Sequence, residues 1–332
     1  LTMSGLFLFV RAFATAVTVY SVAIVIDLIT GLGFTAAVLV LGLFTVVYDV
    51  LGGIRGVIYS DVIQLLILVA MLVVVLVSLV GAAGGIDSLW TQLEPERRAT
   101  LDFSSHGLGD GETFAFWPML IGGLFLYVSY YGCDQSQVQR QLSSRNIDGT
   151  NTALFINGIF RFPLVLLYCL VGVGIAVFAQ NHPEFIQLLP TSGGAPEYNL
   201  AVPLYMINAL PVGLVGLSLV ALFAAAMSSL DSVLNSLSAT TMEDFVRRFY
   251  QGNWTPRKEL VTSRSLTALW GAITLWMAFH VGDIAPTVLE AINKIGSLSN
   301  GPILGVFALG LLTHRVGGVH AITGLLAGVM FN

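Results

Sequence analysis

The stretch DVIQLLILVAMLVVVLVSLVGA (61–82) decides the fold. After Asp61 no Asp, Glu, Lys or Arg appears until Asp87, and a helix needs about 20 apolar residues to cross the hydrocarbon core of a bilayer. Apolar and polar residues do not alternate along it, and an open sheet cannot satisfy its backbone in lipid. The segment therefore predicts a membrane-spanning helix.

The same reading extends in both directions. Apolar segments at 5–28, 33–52, 114–133, 151–179, 212–240, 265–281, 286–312 and 318–332 bring the total to nine. Of the 332 residues, 56% are apolar and 10% charged, whereas a soluble domain carries roughly a quarter charged residues. The expected fold is all-α, a polytopic membrane helical bundle in one transmembrane domain over residues 1–332. Leu at position 1 and an apolar run that reaches Asn332 predict a fragment cut at both ends, with the last span truncated.

A net charge of −5 offers no basic surface for nucleic acid. Cys133 and Cys169 form no CxxC unit, and His106, His182, His280, His314 and His320 are scattered without ligand spacing, so no transition-metal site is expected. Lys and Arg set the orientation. One set of connections holds Arg55, Arg140, Arg145, Arg247, Arg248, Arg257, Lys258, Arg264 and Arg315, and the other only Arg97 and Arg98. The first set faces the cytoplasm, in a multi-pass protein of the plasma (inner) membrane.

Polar groups inside spans are costly and turn toward the bundle interior, so they are the candidates for function. In ALFAAAMSSLDSVLNSLSATTMEDF (221–245), Ser228, Asp231, Ser232 and Asn235 follow i, i+3, i+4, i+7 spacing and form one stripe of oxygen ligands suited to a hard cation. Serines that bond back to their own helix are the plainer alternative. Asp61, after the glycine-rich turn of YDVLGGIRGVIYSDVIQ (48–64), is either a helix cap or a second carboxylate on the same cation path. Tyr127, Tyr130, Tyr131 and Asp134 recur at helical spacing, as an interfacial belt or as a floor or gate for a solute. Arg161 lies mid-span and requires a partner, in a site or in a structural ion pair. Glu290, Asn293, Lys294 and Ser297 share a face, where Glu290 and Lys294 can neutralise each other and Gly301-Pro302 is expected to interrupt the helix.

The strings GGIRGVIYSDVIQ (52–64), YYGCDQSQVQRQLSSRN (130–146) and ALFAAAMSSLDSVLNSLSATTMEDF (221–245) resemble the sodium/solute symporters that include the sodium–glucose cotransporters. The resemblance implies the leucine-transporter-type fold of two inverted five-helix repeats, alternating access and Na+ as coupling ion. It implies that the chain runs from the third core helix to the start of the helix after the tenth. It implies a main sodium site at Ala225 (carbonyl), Ser228 and Ser229, and a second at Asp61, Ser228, Asp231 and Ser232, with Asp231 standing where relatives carry Ser or Thr. Tyr130 and Tyr131 fall at the inner gate, and Tyr127, Arg161 and Asn293 at substrate positions.

The reading is a sodium-coupled symporter, not an enzyme, that moves a small polar solute into the cell, with sugar placed ahead of an organic anion or amino acid. A symporter-like sensor domain of a signalling protein and a passive channel are the rivals from other classes.

Overall fold

A computed structural model describes residues 1–94, 98, 103, 105–107, 115–192, 195–281, 288–313 and 315–331. Thirteen α-helices are assigned among them: α1 (Thr2–Thr30), α2 (Phe34–Ala82), α3 (Ile86–Gln92), α4 (Phe116–Cys133), α5 (Gln135–Leu142), α6 (Ile147–Asn181), α7 (Pro183–Gln187), α8 (Ala201–Ala209), α9 (Val212–Thr240), α10 (Arg247–Phe249), α11 (Pro256–Ala278), α12 (Val288–Leu312) and α13 (Gly318–Met330). The only strands among the described residues are the two-residue β1 (Thr191–Ser192) and β2 (Ala195–Pro196), paired antiparallel.

Among the described residues six helical stretches are long and apolar enough to cross a membrane: Thr2–Thr30, Phe34–Gly53, Gly56–Ala82, Phe116–Cys133, Ile147–Asn181 and Val212–Phe249. The last runs from α9 through one π-helical segment, Thr241–Val246, into α10. A shorter apolar helix, Ser299–Leu312, lies within α12, and α13 is a second.

Three expectations need correction. The second and third spans are not separated by an extended turn. They join at Gly53, whose φ of 56° and ψ of −171° lie where a side chain is not tolerated. Helix continues directly beyond Gly53, so Asp61 lies about two turns inside it and is not a cap. Secondly, α11 begins at Pro256 instead of near 265, because Thr255 accepts the Lys258 N–H at 3.3 Å and Glu259 sits in the first turn. Hydropathy locates the lipid-facing part of a helix, not its start. Thirdly, α12 runs through Gly301-Pro302 without interruption.

The interior has two main cores. In one, Ala16, Ala23 and Ile26 of α1 pack with Val38 and Leu41 of α2, Leu230 and Leu234 of α9 and Ala278 of α11. In the other, Met71, Val75 and Leu79 of α2 meet Val171 and Ile175 of α6, Leu204 and Tyr205 of α8 and Ala221 of α9. Close approach of α2 and α11 depends on Gly271, where an added Cβ would lie 2.4 Å from the Val46 side chain. Large apolar side chains such as Leu43, Phe44, Leu51 and Leu66 point outward, as lipid contact requires. The two cores leave a polar space where α1, the second half of α2, α4, α5 and α9 converge.

A cation-suited cavity and a separate aromatic–arginine cluster

The polar space is a cavity of about 460 Å³. From α9 it receives Ala225, Ser228, Ser229 and Ser232, from α2 Asp61 and Gln64, and from α4 Tyr130. α1 adds Arg11, Thr15 and Thr18, and α5 adds Ser136, Gln137 and Arg140.

Ser228 and Ser229 donate to the Ala225 carbonyl at 3.0 and 3.2 Å. Back-bonding uses the hydroxyl hydrogens and leaves lone pairs on both oxygens. The two alternatives for these serines are therefore compatible, since a hydroxyl that bonds back to its helix keeps lone pairs of the kind a hard cation takes. Among the described residues no group of three His, Cys, Asp or Glu side chains assembles as a metal site.

The second set of expected cation ligands divides. The Arg140 guanidinium reaches both Asp61 Oδ2 and Ser232 Oγ. Arg140, placed by its sequence position in a cytoplasmic connection, projects from α5 into the cavity. Asp231 is fully buried and does not line the cavity; its Oδ1 accepts the Ser232 hydroxyl at 3.1 Å. Asn235, one turn on, donates to Asp49 Oδ1 in the first half of α2 and to the Asp231 carbonyl at 3.2 Å. The expected single stripe is thus two stripes. Successive helix positions differ by about 100°, so Ser228 and Ser232 share the cavity face while Asp231 and Asn235 turn toward α2.

Two further groups close the cavity. Arg11 of α1 pairs with Asp134, which also caps α5 by accepting the Ser136 N–H at 2.9 Å. Asp134 therefore belongs to the start of α5 and not to the tyrosine stripe of α4. Tyr130 is held by Gln137, whose Nε2 donates to its hydroxyl at 2.8 Å, and lies under Arg11 at 5.3 Å.

Tyr127, Tyr131 and Arg161 gather outside this cavity. The Tyr131 hydroxyl accepts from Arg161 Nη1 at 2.8 Å and from Asn157 Nδ2 at 2.7 Å. Arg161 also stacks over the Tyr127 ring at 4.7 Å, and the Tyr127 and Tyr131 rings are stacked at 6.3 Å. Among the described residues no carboxylate pairs with Arg161, so its partners are aromatic and not the acid of a structural ion pair. Tyr130 and Tyr131, 5.3 Å apart at 74°, join the two clusters. The side chains of Glu290, Asn293, Lys294 and Ser297 lie outside the described part of the structure.

Arg11, Gln64 and Arg140 line the cavity and are absent from the expected set, as is Asp49, which meets Asn235 beside it. Asp49 and Arg11 carried a signal, since each is a charge inside an apolar segment. Arg140 carried none, because a basic residue beside a span reads as an orientation signal.

A profile of the sodium:solute symporter family matches residues 1–328. The sodium-dependent multivitamin transporter of Oryctolagus cuniculus is 31% identical over 98% of this chain and 50% of its own length. Sodium-coupled monocarboxylate transporter 1 of Homo sapiens is 28% identical over 95% of this chain and 50% of its own length. The Homo sapiens sodium/iodide cotransporter is 27% identical over 95% and 48%. The chain spans about half the length of the curated relatives it matches. A solved Na+-coupled sialic acid symporter, in a substrate-bound outward-open state, superposes with a TM-score of 0.73 at 20% identity, over 99% of this chain and 72% of that one. The fold is thus the leucine-transporter-type helical bundle, and the chain belongs to the sodium:solute symporter family.

Proposed function

We propose that this chain forms part of a secondary active transporter of the plasma (inner) membrane that uses sodium entry to accumulate a small organic anion. The sodium half of the reading rests on the Ala225 carbonyl and the Ser228 and Ser229 hydroxyls, which bring three neutral oxygens together beside the cavity. Asp61 lines the same cavity and is itself held by Arg140.

The solute half rests on Arg161. Its guanidinium is held by a phenol and an aromatic face, and neither neutralises it. A carboxylate is the group that completes such a site, which moves the preference from sugar to an organic anion. The name of the monocarboxylate relative agrees with this choice. Tyr130, bonded by Gln137 and flanked by Tyr131, serves as the gate between solute and cavity.

Uptake into proteoliposomes containing the complete protein tests the reading. A sodium gradient should drive accumulation of a short monocarboxylate, and unlabelled carboxylates should compete better than sugars. Accumulation without a sodium gradient, or competition by sugars alone, overturns it; the first outcome favours a channel, the second a sugar carrier.

A further inference from the structure

The outward face of α11 carries charge that its neighbours do not match. Its inward face holds the buried Thr267, Gly271 and Thr274, and Ser263, whose carbonyl accepts the Ser238 hydroxyl of α9 at 2.9 Å. At about 100° per residue, Arg257, Val261 and Arg264 fall together on the opposite side, and all three are exposed. Among the described residues no carboxylate pairs with Arg257 or Arg264, whereas Arg247 of the neighbouring α10 is bound to Glu243 and Glu259. Lys258, beside Arg257, donates to the Tyr250 hydroxyl at 2.7 Å and lies over the Tyr250 and Trp254 rings at 4.1 and 5.2 Å, contacts that leave its charge in place.

We propose that this face of α11 binds the headgroup phosphate of an anionic phospholipid, in the leaflet that the distribution of Lys and Arg assigns to the cytoplasm. Arg264 is the last residue before the apolar stretch 265–281. Its guanidinium thus stands at the edge of the hydrocarbon, and its aliphatic stem lets it reach back toward the headgroups. Arg257 lies seven residues, about 10 Å, further toward water. Val261, short and placed between them, leaves both forks open to one phosphate, whose oxygens match guanidinium geometry. Beyond Arg264 the same side of the helix continues as exposed Ala268, Leu269, Ala272 and Trp276, an apolar track along which an acyl chain can lie. The occupant is therefore charged at one end and apolar for the rest, an order that a phospholipid has and an acidic protein segment lacks. A zwitterionic headgroup would bring its own ammonium up to Lys258, so the face selects a lipid of net negative charge. The proposal depends neither on the solute nor on the coupling ion.

Native mass spectrometry of the purified complete protein, titrated with phosphatidylglycerol and with phosphatidylcholine of the same chains, tests it. The wild type should hold its first phosphatidylglycerol about tenfold to thirtyfold more tightly than phosphatidylcholine, at about fivefold per arginine. In Arg257→Gln/Arg264→Gln the preference should fall to about fivefold or less, which Lys258 alone supplies. Arg145→Gln, a change of equal charge in the connection between α5 and α6, should keep the wild-type preference. Equal affinity of the wild type for both lipids overturns the proposal, as does an undiminished preference in the double variant. An equal loss in Arg145→Gln shows a diffuse effect of cytoplasmic charge and overturns it as well. If the double variant fails to fold, Arg257→Gln, at the water-facing end of α11, replaces it with an expected loss of about fivefold, and no loss refutes the site. Displacement of the lipid by an equimolar amount of glycerol 3-phosphate shows a site for the free phosphate and overturns the lipid assignment.

Discussion

Two arginines of this protein are half-buried and have opposite surroundings. Arg140 is bound to a carboxylate and a hydroxyl in the cavity among α1, α2, α5 and α9. Arg161 is bound to a phenol and an aromatic face between α4 and α6. A guanidinium matched by a carboxylate is already neutralised and works as a latch. One surrounded by rings keeps its charge unneutralised. The contrast separates an ionic region, where fixed charges and hard oxygens converge, from an adaptable region built of stacked rings.

The comparison is most severely tested at Asp61. Asp61→Ala should strand the Arg140 charge and lower stability on the order of 2–3 kcal/mol, somewhat below the cost of breaking a fully buried pair because both side chains border the cavity. Thermal unfolding of the single variants and of Asp61→Asn/Arg140→Gln measures it. If Arg140 is a latch, the double variant recovers part of the loss; equal or greater loss shows that the pair is incidental.

Ser229→Ala removes one candidate oxygen ligand without stranding a charge. Sodium activation of uptake should weaken by about tenfold to thirtyfold, the equivalent of about 1.5–2 kcal/mol. An unchanged sodium dependence would remove Ser229 from the site.

Arg161→Ala should raise the solute KM by about tenfold, consistent with losing about 1–2 kcal/mol of cation–π and hydrogen-bond interaction. Folded yield and sodium affinity should hold. Arg161→Lys should restore little, since a point charge does not reproduce the planar stacking. Loss of folded protein in place of a KM change would assign Arg161 to structure.

The smallest effect belongs to Tyr131→Phe, which removes the hydroxyl shared by Asn157 and Arg161 but keeps the ring. A threefold to fivefold rise in solute KM corresponds to about 1 kcal/mol. A change in sodium activation instead would show that the two regions are not separable.

Much of the bundle is legible because lipid makes hydropathy a nearly sufficient signal: α1, α4 and α6 cover the apolar segments from which they are expected. Errors arise where polarity and backbone geometry part company. GGIRG reads as a turn, yet among the described residues of α2 only Gly53 leaves helical geometry, so Asp61 lies deeper than its surroundings suggest. Helical spacing correctly gathered the α9 polar residues, but a stripe about 100° wide can face two neighbours, and spacing does not say which. Arg140 is invisible for another reason. Its role comes from α5 lying against α9, a packing relation that no local pattern in QSQVQRQL encodes.

The joint at Gly53 has a mechanical consequence. α2 consists of two rods, with Asp49 on the first and Asp61 on the second, and a residue without a side chain at their junction. The first rod is tethered to α9 through Asn235, and the second to α5 through Arg140. Any rocking of one rod against the other changes the spacing of two carboxyl groups while leaving both helices intact. Helix angle and carboxyl spacing are then two readings of one coordinate, and the glycine is its pivot.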